Sequence, residues 1–241
     1  MDYGESDRIV TFYTERFGKL KGIAKGARRS RKRFSNALEP YSLLKISFSS
    51  RSGGLSLIEN CDVLSHYPAV REDLERSLTA SYIVELTEQF SLEGKRGTAL
   101  FRLLSLALTL LEEGNGTAET ARLFELRLLG TAGYDPVLDR CIRCGRSIDD
   151  MTSAVFSVDD GGIFCGNCNP RGPETITVSA GTVKTLIAGK TVQFSKMNRL
   201  VFSERAMSES RTLLGLFIRH LLGRELKSLR VLRDVKNLNL P

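Results

Sequence analysis

Cys141, Cys144, Cys165 and Cys168 form two CxxC pairs, Cys-Ile-Arg-Cys-Gly and Cys-Gly-Asn-Cys, with twenty residues between the pairs. Two residues between thiols let both sulfurs turn toward one ion, and two such knuckles close a tetrahedron around zinc. The glycines in and beside the pairs let backbone amides approach sulfur closely. Four of the five cysteines fall in this one pattern. Four thiolates leave no position open for substrate, so the spacing predicts a single structural Zn2+ with Zn–S distances of about 2.3 Å. A thioredoxin-like redox pair would need a strand–helix–strand context, which these cysteines lack, and two disulfides would need an oxidising compartment. The N-terminus, Met1-Asp2-Tyr3-Gly4-Glu5, has neither a basic nor an apolar stretch and does not read as a signal peptide. Cys61 stands alone in a strand-like run and reads as a small buried hydrophobe.

With chemistry at the metal excluded, charge is the next informative feature. The net charge is +7 over 241 residues, which favours a polyanionic partner. Nine cations lie between positions 16 and 33 with no acid among them: Arg16, Lys19, Lys21, Lys25, Arg28, Arg29, Arg31, Lys32 and Arg33. A merely solvated face mixes both signs to limit self-repulsion. This block therefore reads as a nucleic-acid contact, with Phe34 and Tyr41 as candidate stacking side chains or core residues. Enzyme signatures are missing: there is no GxSxG, Walker loop, HExxH or paired-carboxylate pattern. Of the two histidines, His66 reads as a linker residue before Tyr67-Pro68 and His220 as a packing residue in an apolar helix. No apolar run is long enough to span a bilayer, so the chain reads as soluble and cytoplasmic, and no membrane partner is expected.

The elements that must position these residues fall into two classes. Residues 8–65 read as strands: 8–14, 19–25, 42–50 and 55–63, with the last two joined by a hairpin turn at Arg51-Ser52-Gly53-Gly54 and with a basic loop over 26–36. Four short strands suggest a small β-barrel one strand short of the OB type. Pro68 marks a boundary. Helical periodicity then gives one helix through 69–91 (Val70, Leu74, Leu78, Ile83, Val84, Leu86 and Phe90 on one face), then 98–113 and 117–131. A zinc ribbon occupies about 138–173, with short strands at 154–158 and 162–164 around the turn Asp159-Asp160-Gly161. Helices resume over 178–188, 204–222 and 224–234. On the last two, Arg219, Arg224, Lys227, Arg230 and Arg233 recur at helical steps, either as a solvated face or as a second nucleic-acid surface. The predicted architecture is α+β: residues 1–67 an OB-like domain, residues 68–241 a helical domain with an inserted zinc ribbon.

Several segments also carry a family resemblance. Asp2-Tyr-Gly-Glu-Ser-Asp-Arg-Ile-Val10, Gly18-Lys19, Ala24-Lys25-Gly26-Ala27-Arg28-Arg29 and Leu38-Glu39-Pro40 resemble the N-terminal domain of the bacterial DNA repair family RecO. Phe124-Glu-Leu-Arg-Leu-Leu129, Gly133-Tyr134-Asp135-Pro136, Cys141-x-x-Cys144 and Gly161-Gly162 before Cys165 are similar to its central stretch. The resemblance implies an OB-fold, a helical domain and a zinc ribbon. In the family a further strand precedes the segment matching Asp2-Tyr3-Gly4, so the resemblance implies a barrel that lacks its first strand. It implies a non-enzymatic role in DNA repair and homologous recombination: binding single- and double-stranded DNA, annealing complementary strands and assisting recombinase loading. The implied partners are RecR and the acidic, apolar C-terminal tail of single-strand-binding protein, the latter expected in an apolar groove near Leu103, Leu104, Leu108 and Leu111 with Arg122, Arg127, Arg219 and Arg224 on neighbouring helices. It places the protein in the cytoplasm, on the nucleoid. The residues alone leave two rivals open, an RNA-binding OB and zinc-ribbon protein and a zinc-ribbon scaffold.

Overall fold

A computed structural model describes residues 1–30, 32–34, 36–49, 54–193, 196 and 200–238. The first 65 residues make one sheet of five strands: β1 (Asp2–Tyr3), β2 (Asp7–Thr14), β3 (Gly18–Ala24), β4 (Leu43–Ser49) and β5 (Ser56–Ser65), in the order β1-β2-β3-β5-β4. Alternation along the strands turns one set of side chains inward. Val10 and Phe12 from β2 and Leu44 and Ile46 from β4 pack against Ala24, Ile58 and Cys61. Cys61 is buried, as its strand context predicts, and burial pushes its thiol up to about 11. β3 and β5 run parallel through Gly22↔Ser56 and Ile23↔Leu57. Their crossing demands glycine, because a Cβ on Gly22 would stand 2.8 Å from Ile58 Cγ1 and 3.0 Å from the Ser56 carbonyl oxygen.

The expected barrel is not closed. β1 pairs with β2 through Asp2↔Arg8 and Tyr3↔Asp7, and Met1 exchanges backbone bonds with Ile9, so among the described residues β2 beyond Ile9 has a free outer edge, and β4 has another at the far end of the order. Closure would need one strand pairing with both edges. In its absence Val10, Phe12, Leu44 and Ile46 stay half-buried. Of the turn expected at 51–54, only Gly54 lies within the described residues.

The chain turns helical at Pro68. The single helix expected over 69–91 is two, α1 (Pro68–Glu72) and α2 (Leu74–Gln89). Asp73 causes the break: its backbone is extended, and its carboxylate caps α2 by accepting the Arg76 amide at 2.8 Å. Leu74 and Val84, expected on the apolar face, are exposed. α3 (Thr98–Glu112) ends in Glu112, whose carboxylate accepts the Ala69 and Val70 amides at the start of α1, at 3.2 and 3.1 Å. α4 (Thr117–Thr131) lies at the centre, against α2, α3, α5 (Ala180–Thr191) and α6 (Glu204–Leu222), with Phe124, Leu126, Leu128 and Leu129 fully buried. The C-terminal helix, α7 (Lys227–Leu238), starts three residues later than expected.

The metal segment holds the two expected strands, and a third just beyond it joins their sheet. β6 (Ser153–Ser157), β7 (Gly162–Phe164) and β8 (Thr175–Ser179) pair in the order β7-β6-β8. Residues 178–179, expected to open a helix, end β8. Thr-Ile-Thr-Val-Ser alternates β-branched residues, and the Ser179 hydroxyl caps α5 by accepting the Thr182 amide at 3.2 Å. Glu209 of α6 locks this corner by accepting the Ser179 amide at 2.8 Å and the Thr182 hydroxyl at 2.5 Å. Burial works against its charge, but these bonds and Arg205 hold the carboxyl down to about 2. Phe156 of β6 meets Phe217 of α6 edge-on with centroids 5.5 Å apart, so the ribbon sheet and the helices share one core.

Within that core α4 carries a buried acid. Glu125 Oε1 accepts the Tyr82 hydroxyl at 2.5 Å and the Arg122 guanidinium at 2.6 Å, while buried Oε2 has no partner. Burial pushes the Glu125 carboxyl up, against the pull of Arg122 and the Tyr82 hydrogen bond. Glu125→Ala, which strands Arg122 and Tyr82, is expected to cost about 3–5 kcal/mol in urea unfolding. An acid whose folded pKa is raised contributes stability at low pH and loses it as pH rises through that raised pKa. Glu125→Gln should flatten this fall. A urea midpoint that keeps the wild-type pH slope in that variant would show that Glu125 does not titrate on folding.

Candidate metal centre and nucleic-acid interface

Two tight turns present the four thiols. In the first, the Gly145 amide donates to the Cys141 carbonyl at 2.9 Å and the Cys141 amide to the Arg146 carbonyl at 2.8 Å. In the second, the Cys168 amide donates to the Cys165 carbonyl at 3.0 Å. All four Sγ atoms lie within 4.8 Å of one another, and Cys144 and Cys165 approach to 3.6 Å. A tetrahedral ion with bonds of about 2.3 Å needs sulfurs about 3.8 Å apart, so the cluster can hold a metal ion. Phe164 and Met151 pack beside it. Burial disfavours the Cys141 thiolate, but the amides of Cys144, Cys165 and Arg143 bring its pKa down to about 6. Desolvation and hydrogen bonds with the other three sulfurs push Cys168 up to about 12. One thiolate forms readily and the last resists, a set that a dication would complete by neutralising the accumulated charge.

The basic block is contiguous in sequence but not in space. Arg16, Lys19 and Lys21 occupy the β2–β3 turn and the start of β3, whereas Lys25, Arg28, Arg29, Lys32 and Arg33 follow its far end. At about 3.3 Å per residue β3 sets Lys19 about 20 Å and mid-strand Lys21 about 13 Å from Lys25. Arg31 lies outside the described residues. The far group also meets acids from elsewhere. Arg28 approaches Asp2 at 3.9 Å, Arg29 approaches Glu5 at 3.9 Å, and Arg8 contacts both Asp2 and Glu39 at 3.1 and 3.4 Å. These pairs are largely exposed and bind weakly, so the cations remain available to a stronger anion. Neither aromatic candidate is free to stack. Phe34 is buried beneath the Arg33 guanidinium, 5.1 Å from the ring centroid, and the Tyr41 hydroxyl is tied to Ser81.

Sequence reasoning missed the second wall of this surface. The tip of the β2–β3 hairpin docks on the loop between α2 and α3. The Gly94 amide donates to the Lys19 carbonyl at 3.0 Å, and the Thr98 hydroxyl to the Glu15 carbonyl at 3.1 Å. Gly18 sits with φ +63°, and a Cβ there would come 1.9 Å from the Lys95 carbonyl oxygen. This contact brings exposed Lys95, Arg96 and Arg102 to the hairpin tip, where Arg102 pairs with Glu15 at 3.4 Å, next to Arg16 in the chain. The Lys95-Arg96 pair is legible in the sequence, but its position depends on the docking. Beside this contact a groove of about 850 Å³ separates β2 and β4 from α2 and α3, with Phe101, Leu104 and Leu108 on its helical wall. Leu103, Leu108 and Leu111 belong mainly to the helical core, Arg122 is spent on Glu125, and the Arg127 guanidinium bonds the Gly189 and Val192 carbonyls. His220 is exposed, 3.9 Å from Asp159, rather than packed inside, and His66 keeps a buried Nδ1 without a partner.

Residues 1–67 match the family model described as recombination protein O N terminal, and residues 71–230 match recombination protein O C terminal. The chain belongs to the RecO family. It is 44% identical over 243 residues to the DNA repair protein RecO of Syntrophus aciditrophicus, a match covering 100% of this chain and 94% of that protein. It is 36% identical over 236 residues to the RecO protein of Geobacter metallireducens, covering 98% and 94%. Among the described residues of this RecO-family chain, no helix is long and apolar enough to cross a membrane. The thiol geometry yields one measurement. Titrating reduced, metal-free protein with Co2+ should give one tetrahedral thiolate centre per chain, and Cys141→Ser should weaken it by at least about tenfold. A stoichiometry of zero would remove the metal centre.

Proposed function

We propose that this chain is a non-enzymatic DNA-binding protein of homologous recombination that anneals complementary single strands and assists recombinase loading. The observation that carries this reading is the cationic β2–β3 hairpin with its following loop, in a chain of the RecO family. Annealing asks for no bond chemistry. It needs phosphate repulsion between two strands relieved by cations while the bases stay free to pair. Arg16, Lys19, Lys21, Lys25, Arg28, Arg29, Lys32 and Arg33, with Arg31, are the residues proposed to contact phosphates. They read no base edges, so binding is sequence-tolerant and covers single- and double-stranded DNA.

The remaining assignments follow the same reading. Residues 1–67 act as the DNA-binding unit. Their strand order, with one parallel pair and two free edges among the described residues, suits an open OB-like Greek-key sheet. Residues 68–241 form the helical unit, and the ribbon within it holds one structural Zn2+ on Cys141, Cys144, Cys165 and Cys168. RecR is a partner whose contact surface we do not assign. The acidic, apolar tail of single-strand-binding protein suits the groove beside α3, where Leu104 and Phe101 offer apolar contact and Lys19 and Lys21 offer charge. The protein works in the cytoplasm, on the nucleoid.

Three experiments test this. Labelled complementary oligonucleotides mixed with purified protein should form duplex faster than without it. In Arg28→Glu/Arg29→Glu, DNA affinity should fall and the log–log salt dependence should flatten by about 0.7 per lost single-strand phosphate contact. Unaccelerated annealing would end the proposed activity, and an unchanged salt slope would remove these two arginines from the interface. A labelled tail peptide should bind the wild type and lose at least about tenfold in affinity to Leu104→Glu, since a buried carboxylate in an apolar groove is costly. Equal binding would move the tail elsewhere.

A further inference from the structure

The C-terminal turn of α2 is shared by two cationic surfaces that are far apart in sequence. Residues 85, 88 and 89 lie on one side of that turn. The Lys19 ammonium donates to the Glu88 carbonyl at 2.7 Å. The Arg224 guanidinium donates to the Gln89 side chain. Glu85 accepts the Lys227 and Ser228 amides at 2.9 and 2.8 Å and so caps α7 against α2. A helix C-terminus carries partial negative charge, which favours both cations there. Beyond them Lys227 and Arg230 are exposed on α7 and make no ion pair among the described residues, while Arg233 is held by Glu225.

The surface between the two sides is also cationic. Lys95 and Arg96 follow α2 and are exposed beside the hairpin. Glu15, Glu88 and Glu93 lie on the same side. Glu15 is paired with Arg102 at 3.4 Å, and Glu85 is occupied by the α7 amides. The balance stays positive from the hairpin across the α2 terminus to α7.

We infer that Lys227 and Arg230 of α7 form a second phosphate-binding segment, joined to Lys19 and Lys21 across the C-terminal turn of α2, so that one nucleic-acid strand is held by both units of the chain. This inference rests on the reading that the sheet cations bind DNA. A strand longer than the sheet then gains contacts that a short one does not, and the two ends of the chain hold one polyanion in register. The capping of α7 uses the backbone amides of Lys227 and Ser228, so replacing the Lys227 and Arg230 side chains leaves that anchor intact.

The test compares oligothymidines of about 8 nucleotides, within the site of one small barrel, with ones of about 40 nucleotides. Fluorescence anisotropy is read against salt for wild type, Lys227→Gln/Arg230→Gln and Arg28→Glu/Arg29→Glu, with far-UV circular dichroism and the thermal midpoint as controls on folding. The α7 variant is expected to bind the short strand like wild type, to bind the long strand several-fold more weakly, and to show a salt slope shallower by about 1.4 on the long strand. The sheet variant should weaken binding to both lengths. Wild-type binding of both lengths by a folded α7 variant, with the sheet variant still impaired, would overturn the α7 segment and leave the proposed function standing. Wild-type binding by both variants would overturn both. Should the α7 variant misfold, Lys227→Gln alone carries the same comparison with half the expected slope change.

Discussion

The cationic surface depends on one backbone approach, that of Gly18 to the Lys95 carbonyl. No side chain larger than hydrogen fits there, and the left-handed backbone of Gly18 would strain one in any case. With the hairpin seated, Lys19 reaches the end of α2, and Glu15 meets Thr98 and Arg102. None of these exposed contacts is strong alone. Together they turn a flexible hairpin into a fixed projection, so its cations act at set positions. Cations held in place bind a polyanion without first losing the conformational freedom that a mobile loop would.

The metal segment follows a similar logic. Its two turns bring four thiols together, but the surrounding sheet is not an appendage. Phe156 enters the helical core against Phe217, and Glu209 ties the β8–α5 corner to α6. A metal here would secure one edge of a core that α4 already organises. That suits a structural ion, since four thiolates would fill a tetrahedral coordination shell.

The sequence was most legible where local chemistry decides structure. The CxxC spacing, the alternation of β2 to β5 and the limits of α3, α4 and α6 follow from thiols, β-branched residues, glycines and a serine cap. The break at Asp73 was hidden because a capping aspartate inside an apolar repeat looks like a solvated residue. β8 was hidden because five residues of alternating Thr, Ile and Val directly precede a helix. The basic block shows a further limit of the sequence. Its cations are neighbours in sequence, whereas β3 spreads them along its length, with Asp2 and Glu5 facing Arg28 and Arg29 at one end and Lys95 and Arg96 near the hairpin at the other. Such pairings join residues tens of positions apart, and no periodicity signals them.

The two free edges of the sheet have a consequence for handling the molecule. An unpaired edge is a template for another chain, and proteins commonly guard edges with lysine. Lys45 stands exposed on β4, within a chain of net charge +7. Like charge therefore keeps copies apart, over a range of about 10 Å at 0.1 M salt and about 3 Å at 1 M. High salt, the usual means of stripping nucleic acid from a basic protein, removes that protection at the same moment. The colloidal stability of the nucleic-acid-free protein is thus set by ionic strength as much as by its fold, and bound DNA, by adding its own negative charge to the surface, changes which copies repel.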